Sequence, residues 1–158
     1  MLKLEKVTGQ NVWDLLELQV AENQKDFVAS NDESLIEAYV TLAENGKVFP
    51  FGIYDDDKPV GFLMIGFGGG WEGAPPVAER NYNFWRFMID ERYQRKGYGK
   101  QAVQLALNFI KTLPCGPAEY CFLSYEPENE VARRLYRTFG FVENGEMDGD
   151  EIVAVLKL

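Results

Sequence analysis

Apolar and polar residues alternate from Leu2 to Val7, the period of a strand at a sheet edge. After Asn11, a residue suited to capping a helix, the period lengthens through Val12, Leu15, Leu16 and Leu18 and predicts a first helix. A second helix, begun by Asn31 or Ser34, carries Leu35, Ile36, Tyr39, Val40 and Leu42. It stops near Asn45-Gly46, a pair that accepts the left-handed backbone of a C-terminal cap. Val48 to Tyr54 and Pro59 to Phe67 flank the polar turn Asp55 to Lys58 and read as an antiparallel hairpin. The glycine- and proline-rich run from Gly66 to Pro76 reads as one long loop placed to cover a substrate. Asn81 to Ile89 predicts a fourth strand. Val103, Ala106, Leu107 and Ile110 then mark a third helix halted at Leu113-Pro114. Ala118 to Ser124 reads as a strand, and Asn129 caps a fourth helix carrying Val131, Ala132, Leu135 and Tyr136, which ends at Phe139-Gly140. Phe141 to Met147 and Ile152 to Leu158 close the chain as a hairpin. The order is β-α-α-β-β-β-α-β-α-β-β.

The 158 residues suffice for one domain spanning 1–158, and 46% hydrophobic with 14% aromatic content is that of a folded core. No apolar run approaches the roughly 18 residues of a membrane span, and MLKLEKVTG lacks the apolar stretch of a signal peptide. The expectation is a cytoplasmic protein with no membrane partner. Cys115 and Cys121 are the only cysteines and there is no histidine, so neither a metal site nor a disulfide framework is expected. A net charge of −9 argues against a nucleic-acid partner and favours a small cationic ligand. Without histidine, a catalytic base must be Asp, Glu, Tyr, Cys, Lys, a backbone group or a water.

One stretch carries specific chemistry. Gln94-Arg95-Lys96-Gly97-Tyr98-Gly99-Lys100 lies between the fourth strand and the third helix. Its glycines let backbone N–H groups converge on an anion at a helix start, where the macrodipole favours negative charge, and Arg95, Lys96 and Lys100 add cations. The glycine spacing matches neither a dinucleotide fingerprint nor a nucleotide-triphosphate loop. It reads as a pyrophosphate cradle.

The element order and this cradle resemble the GNAT family of acyl-CoA-dependent N-acetyltransferases. The family signature Gln/Arg-x-x-Gly-x-Gly/Ala is met by Gln94, Gly97 and Gly99, and a second block by Asn129, Ala132, Leu135, Tyr136, Gly140 and Phe141. The resemblance covers nearly the whole chain. It implies an α/β (α+β) fold with a mixed, mostly antiparallel sheet of about seven strands flanked by four helices, the fourth and fifth strands splayed apart. It also implies acetyl-CoA as co-substrate, its pantetheine held by the backbone of Phe87, Met88 and Ile89 and its pyrophosphate by residues 94–100. Asn129 and Arg133, with Arg134, would assist. Tyr136 would act as general acid towards the departing thiolate, since a phenol with pKa near 10 stays protonated at neutral pH. Exposed C-terminal strands commonly pair in the family, so a homodimer is implied.

The acceptor amine must lose a proton before it attacks. For an aliphatic amine with pKa near 10.4, that costs on the order of 4 to 5 kcal/mol at pH 7. Candidate bases and ammonium ligands are Glu22 and Asp26 after the first helix, Glu33 and Glu37 in the second, and Glu91 beyond the fourth strand. The segments Glu22 to Tyr39, Gly61 to Gly66, Phe87 to Lys100 and Arg134 to Glu146 are similar to the bacterial spermine/spermidine acetyltransferase branch, which implies a linear polyamine as acceptor. Asp32 joins the carboxylates that would face it. Trp85 stands where such enzymes often carry an acidic residue, and offers a cation–π surface instead. An acceptor of another kind, such as an amino acid, an aminoglycoside or a peptide N-terminus, and a non-catalytic acyl-CoA sensor are the alternatives.

Overall fold

A computed structural model describes all residues, Met1–Leu158. Seven strands form a single sheet: β1 (Leu2–Lys6), β2 (Lys47–Asp55), β3 (Lys58–Phe67), β4 (Tyr82–Ile89), β5 (Tyr120–Tyr125), β6 (Val142–Asp148) and β7 (Glu151–Lys157). Four helices flank it: α1 (Val12–Leu16), α2 (Asn31–Ala43), α3 (Tyr98–Lys111) and α4 (Glu130–Thr138). The order across the sheet is β1-β2-β3-β4-β5-β7-β6. Every pairing is antiparallel except β4 with β5.

Alternation of side chains across the pleat divides the core in two. On one face, Ala102, Val103, Ala106, Leu107 and Ile110 of α3 pack against Phe51, Ile53, Leu63, Ile65, Phe84 and Leu123, and α4 adds Ala132, Leu135 and Tyr136. On the other, Leu15 of α1, Leu18 just beyond it and Ala38 of α2 bury Phe62, Met64 and Met88. The loop after β3 covers the far end of this second face, where Ala78 meets Phe122 and Val153.

Several local expectations change. Asn11 does not cap α1 through its side chain. Its Oδ1 accepts from the Thr8 N–H at 2.8 Å and its Nδ2 donates to the Lys6 carbonyl at 3.0 Å, bracing the turn out of β1. The helix is shorter than its apolar spacing suggested, because the Gln19 backbone is drawn towards the end of β4: its N–H donates to Asp90 Oδ2 at 3.0 Å and its carbonyl accepts from the Glu91 N–H at 2.9 Å. Ser30, rather than Asn31 or Ser34, caps α2, accepting from the Glu33 N–H. Asn31 is buried and donates instead to the Leu15 carbonyl at 2.8 Å, tying α2 to α1. Asn45 adopts the left-handed backbone expected of it, with φ 64°. The β2–β3 turn is tighter than four residues, since Asp55 and Lys58 pair directly and Asp56 takes φ 54°. The helical stretch of α3 ends at Lys111, with Leu113 left-handed at φ 55° before Pro114. Asn129 does cap α4, accepting from the Ala132 N–H at 3.3 Å.

Candidate active site

The parallel contact between β4 and β5 is short: Tyr82 pairs with Cys121 and Asn83 with Phe122, and no pair follows. Beyond it the strands part, which leaves the outer backbone groups of β4 from Trp85 onward without a sheet neighbour. A bulge produces the bend. Met64 faces Arg86 and Ile65 faces Phe84, so Trp85 is an extra residue in β4. Phe84 and Phe87, three apart, therefore share one face, and Trp85, Arg86 and Met88 turn to the other.

The splayed edge has a defined polarity. A Cβ on Gly61 of β3 would collide with the Met88 carbonyl, so that carbonyl points into the sheet and not into the wedge. By alternation the Phe87 and Ile89 carbonyls point outward, and Ile89's accepts from Gln94 Nε2 at 2.9 Å. Of the three residues expected to hold an amide-rich ligand, Phe87 and Ile89 thus present backbone groups to the wedge. The Met88 carbonyl points to β3 instead, into the space that Gly61 leaves open.

The cradle lies at the outer end of β4. Arg95 and Gly97 are left-handed, with φ 62° and 80°, and Gly97 sits at the N-terminus of the 14-residue α3 with no side chain capping it. The first N–H groups of α3 are therefore free of side-chain caps and suited to a phosphate. Gly99 lies in the first turn of α3 facing Phe87 and Leu135, where its Cβ position would lie at ordinary contact distance, 3.9 Å, from Phe87 Cζ and from Leu135 Cδ2. Gln94 locks the loop rather than reaching out, bridging Ile89 and Gln24 Oε1, the latter at 2.8 Å. The Tyr98 hydroxyl likewise turns inward and donates to Asp55 Oδ2 at 2.6 Å. Arg95, Lys96 and Lys100 are exposed, and Lys96 lies 5.5 Å from the centre of the Tyr93 ring.

Asp90, which the sequence reading passed over, anchors the start of this loop. It is 2% exposed and receives Arg92 Nε at 2.8 Å, the Arg92 N–H and the Gln19 N–H. Burial by itself would raise its carboxyl, but hydrogen bonds from Arg92 and the backbone outweigh that and hold it below the usual range.

Tyr136 spans the wedge on the α3–α4 face. Its ring stacks on Tyr125 of β5 at 6.2 Å and meets Phe84 of β4 edge-on at 6.1 Å, with Phe141 at 5.8 Å. Burial pushes its phenol well above the ordinary value, with Cys121 and Tyr125 adding to the shift, so it remains a proton donor across the physiological range. Asn129 sits at the head of the same helix. Arg133 pairs with Glu143, at 2.8 Å from its Nε, and with Glu130, at 2.9 Å, with the Tyr125 ring beneath it. Arg134 is exposed.

The opposite face of the wedge is acidic and aromatic. Trp85 lies there with Arg86, whose guanidinium is 5.5 Å from its ring and whose terminal nitrogen is 3.0 Å from both carboxylate oxygens of Glu37. Glu37 is thus brought to the wedge already paired. Arg86 Nε is buried without a partner. Across the gap, Ser124 of β5 donates to Glu151 of β7 at 3.3 Å, and Glu126 and Asp148 stand beside it. Glu151 is the only carboxyl whose pKa is raised. Burial is the main cause, followed by Glu126, with Asp148 adding and Ser124 and Arg86 opposing. The loop before β4 reaches this hairpin, Trp71 Nε1 donating to Asp148 at 3.4 Å and the Val77 N–H to Glu146 at 2.9 Å.

The remaining expected carboxylates lie further out. Glu22 is exposed and paired with Lys25 at 2.6 Å; Asp26, Glu33 and Glu91 are exposed. Asp32, Glu33 and Lys25 line a cavity of about 440 Å³ between α1 and the start of α2, with Met88 also in its lining. Arg86, Glu126 and Glu151 were missed because they come from β4, the loop after β5 and β7, separate parts of the chain that only the tertiary structure brings together. The one signal in the chain was a charged residue inside each apolar strand pattern, Arg86 in β4 and Glu151 at the head of β7.

A model of the acetyltransferase (GNAT) family matches residues 12–141. The chain belongs to the GNAT acetyltransferase family. It is therefore an acetyl-CoA-dependent N-acetyltransferase, and both the uncapped start of α3 and the open edge of β4 fit that co-substrate. It is 34% identical over 151 residues to the spermine/spermidine N(1)-acetyltransferase of Bacillus subtilis (strain 168), covering 93% of this chain and 91% of that one. Its fold is similar to that of an aminoglycoside acetyltransferase in complex with coenzyme A, with TM-score 0.77 at 16% identity over 99% of this chain and 95% of the other. Spermidine N-acetyltransferase from Vibrio cholerae, in complex with CoA and spermine, gives 0.69 at 20% identity over 99% and 94%. The expected architecture, a mixed, mostly antiparallel seven-stranded sheet with four helices, is the one these folds share, and the structure adds that β4 and β5 are parallel.

Proposed function

We propose that this GNAT acetyltransferase acetylates a primary amine of a linear polyamine such as spermidine or spermine, with Tyr136 as general acid. The observation that carries the reading is the charge of the wedge's acceptor side. Glu126 and Asp148 stand beside Glu151 there, and the cation that faces them, Arg86, is already paired to Glu37 and lies against the Trp85 ring. The 34% identity to the Bacillus enzyme and the net charge of −9 support the same acceptor.

In this reading the cradle and the outer edge of β4 hold acetyl-CoA so that its thioester lies in the wedge between Tyr136 and the acidic face. The amine nitrogen bonds to the thioester carbonyl carbon, the C–S bond breaks, and the departing thiolate takes the Tyr136 proton. Trp85 gives an ammonium a surface worth roughly 0.5 to 2 kcal/mol. The cavity bounded by Asp32 and Glu33 accommodates the distal end of an extended acceptor. Thiol release from acetyl-CoA, measured with spermidine, spermine, aminoglycosides and amino acids, tests the assignment. Turnover is expected with the polyamines, and its absence at millimolar polyamine overturns it.

A further inference from the structure

The carboxylates named from sequence as possible bases are not poised for proton transfer. Glu22 is occupied by Lys25 and Glu37 by Arg86, and Asp26, Glu33 and Glu91 are exposed. Asp90 is saturated by hydrogen bonds that favour its charged form. Cys121 is fully buried and its thiol is pushed up to about 12. Glu151 differs from all of these in place and in company.

Its place follows from the pleat. The last β4–β5 pair is Asn83 with Phe122, so the next residues on the same face are Trp85 of β4 and Ser124 of β5, which look at each other across the opening. Ser124 pairs with Val153 of β7, and Glu151 is the next residue of β7 on that face. Glu151 therefore stands beside Ser124 on the wedge wall opposite Trp85 and Arg86, and Tyr136 closes the other face. Its company is a single hydrogen bond, from Ser124 at 3.3 Å, which leaves lone pairs for an incoming N–H. The charged groups facing it are Glu126, Asp148 and Arg86: two carboxylates that favour its protonation and one cation that opposes it.

We propose that Glu151 is the general base of this enzyme, taking the proton of the acceptor amine from the face of the wedge opposite Tyr136. The inference rests on acetyl transfer to an aliphatic amine. The bound ammonium gives one proton to the Glu151 carboxylate, which passes it to solvent. The freed nitrogen bonds to the carbonyl carbon and its surplus proton also goes to Glu151. As the C–S bond breaks, the thiolate takes the Tyr136 proton, and the tyrosinate is reprotonated from the proton that Glu151 holds, through solvent. The sum is ammonium plus thioester to amide, thiol and one released proton. Glu151, raised by burial and by Glu126, is a better-matched acceptor than an ordinary carboxylate.

The test uses the amine that gives the fastest thiol release with the wild-type protein, so failure of the polyamine assignment shows in the wild-type panel and not here. Glu151→Gln is expected to lower kcat at least about tenfold at pH 7 and to remove the acidic limb of the kcat/KM profile, with acetyl-CoA affinity unchanged. The loss should be smaller for trifluoroethylamine, which is already neutral at pH 7. Glu126→Gln, which keeps Glu151, should shift the acidic limb to lower pH, and it serves alone if Glu151→Gln does not fold. Wild-type kcat with an unchanged acidic limb in Glu151→Gln overturns the proposal, as does an unmoved limb in Glu126→Gln.

Discussion

The role proposed for Tyr136 depends on its surroundings more than on its position in the helix. On α4 it is an ordinary apolar position, and its ring packs like one, against Tyr125, Phe84 and Phe141. Two of those neighbours, Phe84 and Tyr125, belong to the strands that part beyond their short pairing, so the ring bridges β4 and β5. Tyr136→Phe keeps that packing and deletes the proton. Turnover is expected to fall at least about tenfold, with acetyl-CoA affinity by calorimetry nearly unchanged, and full turnover would remove Tyr136 from the chemistry. Arg133 shows the converse. Its sequence position suggested a phosphate ligand, yet Glu130 and Glu143 hold it on the surface of Tyr125. Charge identity was legible in the chain, and partner identity was not.

At the level of elements, the cradle depends on backbone that only glycine adopts without strain. Gly97 has φ 80° and no atom closer than Gln101 Nε2 at 4.0 Å, so a methyl group there would meet open space and suffer only from the left-handed conformation. Gly97→Ala should cost about 1 to 2 kcal/mol of stability. It should also weaken acetyl-CoA binding, because relief of the strain tilts the first N–H groups of α3; denaturant titration and calorimetry read the two effects. The caps divide in an instructive way. Asn129 and Asn45 behave as their local sequence requires, since each acts on backbone within four residues. Asn11 and Asn31 do not cap, because Lys6, Thr8 and Leu15 offer better-placed partners once β1, α1 and α2 are packed. The β4 bulge at Trp85 left one trace in the apolar pattern, the charged Arg86 inside it, and that alone does not say that a residue has been inserted.

Across the whole molecule, two anchors hold the donor end of the site to the acceptor end. Asp90 joins the cradle to Gln19 behind α1, and Gln94 joins it to Gln24. The folded pKa of Asp90 lies below its unfolded value near 3.9, so its contribution to stability is present above about pH 4 and is lost as pH falls through the native value. Asp90→Asn should lower Tm at pH 7 and flatten the acid side of the stability profile. An unchanged profile would place the acid sensitivity elsewhere. Glu151 works in the opposite sense: its pKa is raised, so its charged form weighs against the folded state as pH rises through that value.

The sequence by itself determined the order of the elements, the cradle and the family, because each rests on local periodicity or on a motif within one strand–loop–helix unit. It also offered a reading of Gln94 to Lys100 as a pyrophosphate cradle, through two glycines and the helix start beside them. The tertiary structure alone decided which carboxylate stands free at the wedge. Ser124, Glu126, Asp148 and Glu151 face Arg86 and Trp85 only because a single inserted residue bends β4 away from β5. Pairing across a splayed sheet brings together residues far apart in the chain, such as Arg86 and Glu151, and no periodicity along one chain encodes which of them will meet.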